Sequence, residues 1–102
     1  MIIVEGWVRA APEAIEALKA PAAAMVTATR AEPGCIDYAF AVDLLDPGLL
    51  RIIEKWTDDA ALAAHFQTPH MAAFNAALAG TARQGAQVDA YNAEFVRTLV
   101  KA

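Results

Sequence analysis

Both histidines of the chain, His65 and His70, follow closely on an acid and an indole, Glu54 and Trp56. Histidine is the side chain most easily poised to move a proton near neutral pH. Glu54 and Trp56 are two residues apart in a strand, so they point the same way. A lone Glu on an otherwise apolar strand face is informative, because a buried carboxylate must be paired or neutral. It either meets a backbone N–H at a sheet edge or serves a pocket as an acid or orienting group with a raised pKa. Trp56 reads either as core or as the wall of a pocket. Each histidine alone reads as a core imidazole bonded to a carbonyl, whereas the two together, after Glu54, read equally well as a site. The chemistry on offer is proton transfer beside an apolar cavity.

Other chemistries find less support. The i, i+5 spacing of His65 and His70, broken at Pro69, is not a recognised ligand pattern, unlike i, i+4. With one carboxylate and no Cys close by, no metal is expected. Cys35 follows a Pro-Gly turn with no base adjacent in sequence, and reads as a structural thiol. The 5 glycines form no phosphate cradle, so no nucleotide cofactor is expected, and there is no nucleophile elbow. A net charge of −4 with no Lys/Arg patch argues against nucleic-acid and anionic-membrane partners. One cysteine excludes an internal disulfide and fits a reducing compartment. The amino terminus lacks a basic leader region, and the apolar run 20–28 is too short to span a bilayer. The expectation is a soluble cytoplasmic protein.

The elements that must hold these groups can be read in order. The 102 residues make one domain, 1–102. Of these, 26 are alanine, which favours helix but adds little core volume, so the core rests on few large side chains. Residues 2–10 are β-branched and end near Pro12, predicting a first strand covered on both faces. Pro12 and Glu13 suit a helix start, and Ile15, Leu18, Ala22, Met25, Val26 and Thr29 recur as an apolar stripe. Pro21 within that stripe predicts a kink or break. Glu32-Pro33-Gly34 turns the chain into a second strand, 35–43. Asp46-Pro47-Gly48 predicts the hairpin turn, and residues 49–57 the third strand. Thr57 is the expected cap of the next helix, and Thr68-Pro69 restarts a second one ended by Gly80. Residues 88–100 read as a last strand.

The order strand, helix, strand, strand, helix pair, strand predicts an α+β, ferredoxin-like antiparallel sheet with its helices on one face. The other face keeps apolar side chains, and such a face usually marks an interface. The expected assembly is a homodimer packed sheet against sheet.

Five features in order, Glu32-Pro33-Gly34-Cys35 followed by Tyr38, Asp46-Pro47, Glu54-x-Trp56, Ala61-Leu62-x-x-His65 and Thr68-Pro69-His70-Met71, resemble the antibiotic biosynthesis monooxygenase domain. The Leu62 to Phe74 segment particularly resembles its quinol monooxygenase-like members. The resemblance implies a dimeric α+β barrel. It implies oxidation of an electron-rich quinol or polycyclic phenol by O₂ without a cofactor, the partner being a small aromatic or quinone-like molecule. On that resemblance Trp56, Phe66, Phe74 and Tyr38 would line the pocket, His65 or His70 would accept the proton, and Glu54 would orient it. Relatives that degrade haem use an asparagine on strand one, where this chain has Gly6 and Trp7. A sugar-phosphate isomerase relative would want a cation for phosphate, and Arg51 and Lys55 share the strand face opposite Glu54. A non-oxidative isomerase or a small-molecule-binding dimer with the same pocket is the alternative.

Overall fold

The computed structural model describes residues Met1–Ala102. In chain order its elements are β1 (Ile2–Ala10), α1 (Pro12–Thr29), β2 (Cys35–Asp43), β3 (Asp46–Trp56), α2 (Asp59–His65), α3 (Pro69–Ala79) and β4 (Arg83–Asn92). The four strands form one antiparallel sheet in the order β2-β3-β1-β4, an α+β ferredoxin-like arrangement. β1 and β3 lie at its centre, with Val4 opposite Glu54 and Ile2 opposite Trp56.

Strand alternation decides what reaches the helices. Ile2, Val4 and Val8 of β1 and Leu50, Ile52, Glu54 and Trp56 of β3 are buried on the helix side. α1 brings Ile15, Leu18, Ala22, Met25 and Thr29 onto that face at helical spacing. The larger core cluster joins Ile2, Val4, Ala22, Met25, Tyr38, Trp56, Leu62 and Phe74, so both ends of the chain's helical content meet over the β1–β3 seam. On the opposite face Ile53 and Tyr91 are exposed.

Several local expectations are corrected. Helix α1 runs through Pro21 without a break. Proline removes one N–H and its ring crowds the Ala17 carbonyl, a local cost that the helix absorbs because Ile15 and Leu18 before it and Ala22, Met25 and Thr29 after it are all packed into the core. The hairpin tip is Leu44-Leu45, with Asp43 paired to Asp46. Asp46-Pro47-Gly48 instead forms a tight local turn at the start of β3, the Gly48 N–H donating to Asp46 Oδ1 at 2.9 Å, where the β2–β3 register shifts. Asp58, not Thr57, caps α2 through a bond from the Ala61 N–H at 2.8 Å. Thr68 caps α3 as expected. β4 begins at Arg83 and ends at Asn92, because its partner β1 spans only Ile2–Ala10. Beyond it the Ala93 N–H bonds Met1, and residues 94–102 carry no regular structure.

Gly34 is the one residue with positive φ, +83°, and an added Cβ there would lie 2.6 Å from the Ala61 Cβ. Its carbonyl accepts from the Thr57 N–H at 2.9 Å, tying the α1–β2 turn to the β3–α2 corner. Gly34→Ala should therefore lose about 2 kcal/mol, from left-handed strain and the clash together. Gly80→Ala, whose new Cβ meets nothing closer than 3.6 Å, serves as control and should be neutral or mildly stabilising. Paired thermal melts check this; equal melting points for the two variants would refute it.

Candidate functional site

The site is built where three chain segments meet beneath α2 and α3. Trp56, the last residue of β3, is fully buried, and its indole N–H donates to Glu54 Oε1 at 2.9 Å. That bond is the partner the buried carboxylate needs. The indole stacks obliquely on the His65 ring at 5.0 Å, and Tyr38 meets the same ring edge-on at 5.4 Å. His65 ends α2 and is 1% exposed. Its backbone carbonyl accepts from the Thr68 hydroxyl at 2.7 Å, and that hydroxyl also accepts from the Met71 N–H, so the α2–α3 corner is pinned at the imidazole.

Glu32, from the turn after α1, was not among the residues singled out by sequence. Its Oε2 lies 2.7 Å from His65 Nδ1 and 2.7 Å from His70 Nε2. A carboxylate accepts only, so both imidazoles donate to it. The tautomers follow: His65 carries its proton on Nδ1, leaving Nε2 with a free lone pair, and His70 carries its own on Nε2. His65 Nε2 makes no hydrogen bond within the chain. The signal for Glu32 lay in Glu-Pro-Gly, where a turn explained the residues without assigning the acid a task.

Next to His65 lies a cavity of about 310 Å³, lined mainly by apolar side chains. Tyr38, Glu54, His65, Phe66 and Phe74 line it, and Phe66 is more than half exposed at its rim. Trp56 does not line it: packing against Ile2, Leu62 and Tyr38 leaves the indole no exposed surface, so it supports the wall from behind. His70 does not line it either. It bonds Glu32 and is partly open to solvent, on a different side of α3 from Met71, Phe74, Asn75 and Leu78, which line the cavity. Asn75 of α3 and Arg83 of β4 also line the cavity and were missed, Arg83 because the last strand was placed too late.

Burial and then the neighbouring Glu54 and Glu32 carboxylates push the Tyr38 phenol up, keeping it a hydrogen-bond donor. Burial likewise raises Glu54, opposed by the Trp56 hydrogen bond and by His65. Cys35 is raised by burial and by Glu32, so its thiol stays protonated.

A raised carboxyl pKa means the folded state binds the proton more tightly than the unfolded chain. Stability therefore declines as pH rises from about 4.5, the ordinary Glu value, through the folded value, and the charged carboxylate is a burden at neutral pH. Glu54→Gln keeps a carbonyl acceptor for Trp56 and removes that charge. It should melt higher than wild type at pH 7, with the gap closing towards pH 4, as followed by circular dichroism. A gap that is constant with pH would contradict the assignment.

The antibiotic biosynthesis monooxygenase family model matches residues 1–77, which contain Glu32, Glu54, His65 and His70. An uncharacterized Synechocystis protein, sll1783, is 31% identical over 98 residues, covering 96% of this chain and 67% of its own length. The Escherichia coli protein named "Probable quinol monooxygenase YgiN" is 40% identical over 57 residues, which is 48% of this chain and 55% of YgiN. The crystal structure of PA3566 from Pseudomonas aeruginosa superposes with a TM-score of 0.81 at 33% identity, covering 92% of this chain and 94% of that one. With three quarters of its length under the family model and its fold shared with such relatives, the chain belongs to the antibiotic biosynthesis monooxygenase family.

Proposed function

We propose that the chain is a cofactor-independent monooxygenase that oxidises an electron-rich quinol or polycyclic phenol with O₂. The observation that carries this reading is His65, held through Nδ1 by Glu32 while Nε2 is left free beside an apolar cavity. A phenolic proton passes to Nε2. The substrate anion is then electron-rich enough to reduce O₂ itself, so no bound redox group is required of the protein. In the keto tautomer of the phenol, whose ring carries a CH₂, the balance closes as follows: the carbon gives up four electrons and both hydrogens, one oxygen of O₂ becomes its carbonyl, and the other leaves as water. Asn75, Arg83 and the Tyr38 hydroxyl are the groups available for hydrogen bonds to the anion, and the apolar walls exclude water. Glu32 and His70 lie between His65 and solvent, and offer the proton a way out. Similarity to YgiN, a probable quinol monooxygenase, supports the quinol class, and the family supports the reaction type.

Oxygen-electrode assays with a reduced naphthoquinone should show protein-dependent uptake that a chelator does not diminish. His65→Gln should lower the rate about 100-fold, the usual worth of a general base. Saturable binding without oxygen uptake would instead place the chain among isomerases or binding proteins.

We also propose that the working form is a homodimer, as the open sheet face suggests. That face presents Ile53 and Tyr91 with acids Glu5 and Asp89 near bases Arg51 and Lys55, a pattern able to complement its own copy. Phe95, Val96, Leu99 and Val100 in the carboxyl-terminal segment are all exposed on the single chain, so a second copy gives them something to cover. Sedimentation should give twice the 10.8 kDa chain mass at micromolar concentration, and removal of residues 94–102 should weaken association. A monomer at that concentration would refute the dimer.

A further inference from the structure

The bridge between the two histidines is also a cluster of three potential ligand atoms. Glu32 Oε2, His65 Nδ1 and His70 Nε2 all lie within 4.8 Å of one another. They come from three segments, the turn after α1, the last residue of α2 and the first turn of α3. Spacing within α2 and α3 alone gave two ligands and no third; the fold supplies it from 33 residues upstream of His65. Two imidazoles and a carboxylate suit Zn²⁺, Cu²⁺ or Ni²⁺.

We propose that Glu32, His65 and His70 form a binding site for one divalent transition-metal ion. Around a tetrahedral ion at about 2.0–2.1 Å, ligand atoms stand about 3.3 Å apart. The two 2.7 Å contacts need to open by about 0.6 Å, and the histidine nitrogens, within 4.8 Å of each other, to close by up to about 1.5 Å, which side-chain rotation of the partly exposed His70 supplies. The supporting shell is already present: Trp56 and Tyr38 fix the His65 ring, and Thr68 fixes the α2–α3 corner. Three protein ligands leave a fourth position for water, as in open zinc sites. Access is from the His70 side, whose side chain is 23% exposed against 1% for His65.

The ion would act on the cavity through the imidazole it holds. When Nδ1 of His65 binds metal, the ring proton moves to Nε2. The nitrogen facing substrate then donates and no longer accepts. This consequence rests on the oxygenase reading above: metal would stop His65 from taking the phenolic proton, making the ion a reversible inhibitor and not a cofactor.

Untagged protein, stripped with chelator and checked for fold by circular dichroism, is titrated with Co²⁺ and, separately, with Zn²⁺ by calorimetry. The expected result is one ion per chain, the visible absorption of tetrahedral Co²⁺, and at least tenfold weaker binding in His70→Ala and in Glu32→Gln. No absorption, or binding unchanged in both folded variants, overturns the site. Zn²⁺ should also suppress oxygen uptake, chelator should restore it, and His70→Ala should need more Zn²⁺ for the same inhibition. Because Co²⁺ absorption needs no turnover, the site can stand where the oxygenase reading falls. Full oxygen uptake with Zn²⁺ bound would overturn the inhibitory role.

Discussion

A buried indole N–H needs an acceptor, and in this fold the acceptor is Glu54. The bond links two neighbours on one strand face, yet much of the site depends on it. It gives an interior carboxylate the partner that keeps it tolerable, and it locks the orientation of Trp56, the most buried large side chain in the chain. The indole plane then sets where His65 rests. Without that plane α2, only 7 residues long, would be held by Leu62 in the core, its Asp58 cap and the Glu32 bond to His65.

The second constraint is that reactive groups come from segments far apart in sequence. Tyr38 and Glu54 face each other across the β2–β3 pair, so alternation alone puts them on one side. The histidines are placed differently. They sit at the end of one helix and the start of the next, and a carboxylate from the α1–β2 turn draws both rings to one oxygen. Gly34 makes this possible, since its left-handed backbone lets the turn carrying Glu32 come against α2.

Much of this was legible beforehand because it follows period and punctuation. Strand alternation put Glu54 and Trp56 on the helix side, and Thr68-Pro69 marked the start of α3. What stayed hidden was long-range. Nothing local distinguishes Glu32 as a histidine partner from Glu32 as a turn residue. The end of β4 was illegible because it is set by the length of β1, not by the β-rich run continuing to Val100. Pro21 misled because the rule against proline in a helix weighs a local backbone cost, whereas here buried residues on both sides of it hold the helix together. Trp56 was visible as an aromatic near the site, but whether it faces a cavity or backs one depends on packing that spacing does not encode.

The two strands that bound the sheet are unequal. Each is hydrogen-bonded to a single neighbour, but β2 has the Tyr38 side chain sunk in the core, whereas β4 has no buried residue, although Arg83, Ala86 and Val88 form one wall of the cavity. The other walls belong to helices and central strands fixed by the core. The cavity is thus bounded by one wall that no core side chain anchors and by others that the core fixes. Substitutions at Arg83, Ala86 or Val88 can reshape it while Glu32, Glu54 and His65 keep their places.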